Sequence, residues 1–125
     1  MIHGVGIDMI EVQRVEEKML RHETFRSYVF SEAEIGYCEK ATHKFEHYAA
    51  RFAAKEAFFK AIGTGWKNGT AFNEVEITHD EQGKPFISFS GQTAITVASL
   101  NLGKISVSLS HLKTIASAVV IIETL

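Results

Sequence analysis

Several ionisable side chains in this sequence are spaced as chemistry would require. Asp8 ends the run Gly4-Val5-Gly6-Ile7-Asp8. In a strand, alternate residues share a face, so Asp8 would lie beside Gly4, Gly6 and Ile10, with room for a close approach. The alternative is that Asp8 caps the helix that follows. Glu56 falls in an apolar helical stretch, with Lys60 one turn beyond it. An exposed Glu-Lys pair at this spacing contributes only about 0.3–0.5 kcal/mol. Framed by Phe52, Phe58 and Phe59, however, the carboxylate would be desolvated and would need a stronger partner. Two carboxylates and a lysine suit magnesium and phosphate: the cation takes one or two carboxylates plus waters and phosphate oxygens, and the ammonium neutralises developing charge. His43-Lys44-Phe45-Glu46-His47 matches the H-x-x-E-H zinc pattern. Enzymes built on that pattern are far longer and carry further ligands, so these histidines are assigned to the entry of the central helix. His111 stands at the end of an alternating segment, where a structural role is commoner than a chemical one.

The elements that must position these groups follow from periodicity. Arg51 to Gly65 reads as a strong helix stopped at Gly63. Ala49, Phe52, Ala53, Glu56, Phe59 and Lys60 share one side, with Ala54, Phe58 and Ile62 opposite, so both faces are expected to be buried. Residues 2–10 read as a strand, and 11–22 as a helix with Val12, Val15 and Met19 inward. Arg14, Lys18 and Arg21 form a basic stripe on that helix, either a solvated face or a docking surface for an acidic partner. Ser31 and Glu34 make a capping box for a helix through about Lys40. A hairpin is expected from strands at 73–79 and 84–89, then a helix over 92–101 with Ile95, Ala98 and Ser99 toward the core. Two strands, 104–110 and the very apolar 115–122, close the chain. The pattern predicts one α+β domain, 1–125, with a largely antiparallel sheet of 3–5 strands.

Composition narrows the function. With 13 basic and 15 acidic residues the net charge is −2, which argues against nucleic acid as a partner held by bulk charge. No apolar run approaches the roughly 18 residues of a membrane span. The single cysteine, Cys38, excludes an internal disulfide and fits a reducing, cytoplasmic setting.

Four blocks in order resemble the short, single-repeat class of the 4′-phosphopantetheinyl transferase family: Gly4 to Asp8, Arg51 to Gly65, Gly83-Lys84-Pro85, and Ser108-Leu109-Ser110-His111. The resemblance covers nearly the whole chain and implies the family's fold and activity. That activity is transfer of 4′-phosphopantetheine from coenzyme A to a serine of apo-acyl carrier protein, releasing adenosine 3′,5′-bisphosphate, in fatty acid biosynthesis. It further implies a magnesium ion on Asp8 and Glu56, Lys60 near the transferred phosphate, and a homotrimer with sites between subunits. Arg51, Gly63, Thr64, Gly65, Lys84, Pro85 and His111 would line the coenzyme A site, His111 also counting among the catalytic groups. Arg14, Arg21 and Phe25 match the helix that meets the carrier protein, and Lys18 extends its stripe. Leu112 replaces the acidic or hydroxyl-bearing neighbour of His111 found in part of the family, which removes any role for that neighbour as a base. Two rival readings remain: a non-catalytic module for an acidic protein, and a magnesium-dependent phosphohydrolase.

Overall fold

The structure is a computed structural model that describes residues 1–63 and 69–125. Among the described residues, β1 (Ile2–Glu11) runs into α1 (Val12–Arg21), followed by α2 (Phe25–Val29), α3 (Glu32–Glu39) and the long α4 (Lys44–Ile62). A 3-10 turn over Phe72–Glu74 leads to β2 (Val75–His79), β3 (Pro85–Phe89), α5 (Gly91–Ala98), β4 (Leu102–His111) and β5 (Ile115–Thr124). Two antiparallel sheets result, one ordered β1-β5-β4 and one made of the β2-β3 hairpin. The α+β expectation holds.

Helix α4 is the axis of the domain. From Tyr48 to Phe59 every residue except the half-buried Glu56 is buried. One flank packs on β1 and on Ala118, Val120 and Ile122 of β5. The other flank meets α1, α3 and β2. Both faces are therefore covered within one copy of the chain, so the double-sided helix itself supplies no surface for self-association. Gly63 ends α4 at φ 81°, a left-handed position that favours glycine. The room beside Asp8 is filled by the same helix. A methyl group at Gly4 or Gly6 would collide with the carbonyl oxygens of Ala61 and Ala57.

Lys55 is the most constrained charge in the fold. It is fully buried, and its Nζ donates to Glu34 Oε1 at 2.6 Å and to the Val29 and Phe72 carbonyls at 2.7 and 2.8 Å. Glu34 also accepts from the backbone N–H of Ser31 and of Ile77. The capping box read from Ser31 and Glu34 is present, and its carboxylate extends that local device to α4 and β2. Burial pushes the Lys55 pKa down, and Glu34 opposes the shift.

Two local expectations differ from the structure, and a third falls outside what it describes. The five-residue helix α2 is too short for periodicity to reveal, and Phe25 belongs to it, packed against the α1 residues with which the sequence grouped it. Helix α5 ends at Ala98, and Ile95 is 64% exposed, with Ala98 and Ser99 also outward. Its buried face is Thr93 and Val97. Thr93 is held inside because its hydroxyl donates to Glu74 and accepts from the Ala71 N–H. The loop expected at 66–69 falls largely on residues 66–68, which lie outside the described residues.

Removing one partner of a buried pair leaves the other charge uncompensated, a loss of about 3–5 kcal/mol. Lys55→Met should lower unfolding free energy by about that much, and adding Glu34→Gln should recover part of it. Urea denaturation measures both. A loss well under about 1 kcal/mol for Lys55→Met would contradict the role given to this pair.

Candidate active site

Strand β1 and the C-terminal half of α4 bring three of the sequence-selected residues together. Lys60 Nζ lies 2.9 Å from Asp8 Oδ1 and 3.0 Å from the Ile7 carbonyl. The lysine therefore pairs across to the strand instead of with Glu56 on its own helix. Asp8 does not cap α1, whose N-cap is Glu11. Glu56 has no hydrogen bond or ion pair among the described residues. Burial pushes its pKa up and the Asp8 charge adds to that, while Lys60 and Lys18 pull it down. Two hard oxygen donors, one of them unpartnered and half-buried, fit a magnesium ion. Among the described residues no group of three metal-ligating side chains stands together. A cation here would complete its shell with water and phosphate.

A second cluster forms around Arg51 and His111. The Arg51 guanidinium lies 4.2 Å from the centroid of the Tyr37 ring, and Nη2 is 3.2 Å from His79 Nδ1. Tyr37 stacks on His79 and meets His47 edge-on, and His47 in turn meets His111. His111 Nδ1 is 2.9 Å from Glu46 Oε1, a contact that orients the imidazole. His79 pairs in register with Pro85, so the hairpin segment of Lys84 and Pro85 joins this cluster through β2. Thr64 and Gly65, expected beside Gly63, lie outside the described residues.

Among the described residues no hydrogen bond, ion pair or ring contact joins the two clusters, although the sheet register sets His111 and Ile10 on either side of Ala116, two residues along β1 from Asp8. Glu46, beside His111, and Lys60, beside Asp8, stand about 20 Å apart along α4 at about 1.5 Å per residue. Arg51 and Glu56 point roughly 140° apart around it. Tyr37, His47, Glu46 and His79 had no part in the site read from the sequence. The four-residue step from His47 to Arg51 was a usable signal, since it puts both on one helical face.

The basic stripe lies on α1 as expected. Arg14, Lys18 and Arg21 line a shallow depression of about 330 Å³ with Glu17 and His22. Arg14 pairs with the exposed Glu11, and Lys18 Nζ stands 5.9 Å from the Phe25 ring centroid. Helix α1 packs against α4, and the Lys18 charge adds a small downward pull on the Glu56 pKa.

Comparison with known proteins gives one consistent result. The model of the 4′-phosphopantetheinyl transferase superfamily matches residues 4–116. A holo-[acyl-carrier-protein] synthase of Syntrophus aciditrophicus is 40% identical, covering 100% of this chain and 98% of that protein. Its counterpart from Cytophaga hutchinsonii is 41% identical over 97% of each. Among solved structures, the Neisseria meningitidis holo-[acyl-carrier-protein] synthase superposes with a TM-score of 0.90 at 29% identity, covering 99% of this chain and 100% of that one. A Bacillus anthracis holo-(acyl-carrier-protein) synthase in complex with coenzyme A (3′,5′-ADP) gives 0.79 at 36% identity, covering 100% and 99%.

The raised Glu56 pKa carries a stability cost with a definite sign. A carboxyl group whose folded pKa lies above its unfolded one favours the fold at low pH, and that favour is lost as pH rises through the folded pKa. In magnesium-free buffer, Glu56→Gln should melt above the parent protein near about pH 8 and level with it below about pH 4. A variant that melts lower at the higher pH would show that ionised Glu56 is already stabilised within the fold.

Proposed function

The chain belongs to the 4′-phosphopantetheinyl transferase superfamily, and on that premise we propose how its residues divide the work of a holo-[acyl-carrier-protein] synthase. The protein transfers 4′-phosphopantetheine from coenzyme A to a serine of an apo-acyl carrier protein and releases adenosine 3′,5′-bisphosphate. The serine oxygen bonds to the phosphorus on the pantetheine side of the pyrophosphate. The bond from that phosphorus to the bridging oxygen breaks, and the nucleotide leaves with that oxygen. The observation that carries the division of labour is the convergence of Asp8, Glu56 and Lys60 at one end of α4.

Asp8 and Glu56 hold magnesium, which supplies positive charge against the pyrophosphate oxygens when bound. Lys60, 54% exposed and held beside Asp8, neutralises charge on the transferred phosphate. Arg51, His111, Lys84, Pro85 and Gly63, with Thr64 and Gly65, take the nucleotide end of coenzyme A. Arg14, Lys18 and Arg21 on α1 and Phe25 on α2 dock the acidic carrier protein, where long-range attraction speeds encounter. Helix α1 packs against α4, so a carrier docked on the stripe would stand on the same side of the fold as the helix that carries Glu56 and Lys60.

The family resemblance implies a site completed between copies of the chain, in a homotrimer, and we adopt that arrangement. The outer face of the three-stranded sheet suits that contact. Val5, Ile7 and Met9 of β1 are 57%, 63% and 65% exposed, and they lie in register with Ile121, Val119 and Ser117 of β5. Exposed apolar rows of this kind mark association surfaces. Among the described residues no helix is long and apolar enough to cross a membrane. We assign the protein to the cytoplasm and to fatty acid biosynthesis on the same premise.

Incubation with coenzyme A, magnesium and an apo-acyl carrier protein should add one phosphopantetheine to the carrier, read by mass spectrometry. Asp8→Ala should stay folded, because it removes a partly exposed ion pair, yet should slow transfer by orders of magnitude. An unchanged carrier mass, or free phosphate as the product, would overturn the reading.

A further inference from the structure

His79 is absent from the set of residues that the resemblance implies, yet it makes the one hydrogen bond of the Arg51 guanidinium among the described residues. Arg51 is 2% exposed and has no carboxylate partner there, and its Nε has no hydrogen-bond acceptor. A buried cation in that condition costs several kcal/mol until an anion joins it. Tyr37 supplies the face on which the guanidinium rests, 4.2 Å from the ring centroid, and the same ring stacks on His79 at 5.4 Å and 20°. Tyr37 and His47 also line an open cleft of about 700 Å³ with Lys40 and His43, so the ring that carries Arg51 forms part of a cleft wall.

The chemistry of the contact fixes the state of the imidazole. A guanidinium only donates, so His79 Nδ1 accepts, and the neutral ring carries its proton on Nε2. The charged groups facing His79 are Arg51 of α4 and the neighbouring Asp80. Burial and the Arg51 charge push the His79 pKa down, with Asp80 opposing, which keeps the ring in the accepting form at neutral pH.

We propose that His79 is a positioning residue for coenzyme A: it holds the Arg51 guanidinium in place over the Tyr37 ring, leaving its positive charge for a phosphate of the nucleotide. A planar guanidinium binds phosphate well only in the right plane, so fixing the plane in advance raises affinity. The register of His79 with Pro85 ties the same device to the hairpin proposed to line the nucleotide. The inference rests on the coenzyme A reading given above.

Three substitutions separate positioning from bulk. His79→Phe keeps the ring on Tyr37 and removes the acceptor. His79→Asn puts an amide oxygen where Nδ1 stands, and His79→Gln puts it one bond farther out. Calorimetry with coenzyme A and with adenosine 3′,5′-bisphosphate, alongside steady-state kinetics, reads each one. His79→Phe should raise Kd and KM for coenzyme A about tenfold, the worth of one charge-assisted hydrogen bond, with kcat within about twofold. His79→Asn should stay within about threefold of the parent, and His79→Gln should resemble the Phe variant. Should the Phe variant not fold, the contrast between Asn and Gln decides. Parent-like binding by His79→Phe, or equal losses in Asn and Gln, would overturn the positioning role while coenzyme A binding by the parent protein upholds the reading beneath it. A parent protein that binds no coenzyme A would overturn both.

Discussion

A helix buried on nearly every side must find a partner for each charge it carries, and most of this fold consists of those partners for α4. Lys55 is answered inside the domain by Glu34 and two carbonyl groups. Lys60 reaches the edge of the helix and pairs with Asp8. Among the described residues Glu56, the one position between Tyr48 and Phe59 that is not buried, is left without a partner, and Arg51 has a ring and an imidazole but no anion. The satisfied charge is structural. The two unsatisfied ones have opposite sign, and they are the places proposed for a cation and a phosphate.

This helix also explains which parts of the molecule were legible in the sequence. Local devices were visible: the Ser31–Glu34 capping box, the Gly63 stop, the alternation of β4 and the Pro85 arm of the hairpin each depend on residues close in the chain. Asp8, Glu56 and Lys60 could be singled out because a charge in an apolar setting stands out by itself. Their pairing could not be read, since Lys60 chose a strand partner over its helical neighbour. The apolar pattern misled where polar groups were satisfied inside. Thr93 is buried because Glu74 and Ala71 complete its hydrogen bonds, and Ile95 faces outward in its place. Tyr37, His47 and His79 were passed over for a related reason. Each is an ordinary residue on its own element, and only packing between α3, α4 and β2 gathers them beside Arg51.

The glycines of β1 show how one sequence feature serves both fold and site. Without side chains at Gly4 and Gly6, the strand lies against the backbone of α4, and Asp8 is thereby brought to Lys60. The outward residues Val5, Ile7 and Met9 form the apolar surface proposed to meet a second copy. Strand β1 thus connects the metal-side cluster to the proposed subunit contact.

The proposed working site takes Asp8 from one copy of the chain and His111 from another. The most direct measurement is activity after Asp8→Ala and His111→Ala chains are unfolded together and reassembled. Each variant alone should be nearly inactive. Random mixing should restore roughly a quarter of parent activity, because only sites drawing both intact halves from different copies function. Activity no greater than that of the separate variants, in mixed oligomers verified by mass, would contradict the account.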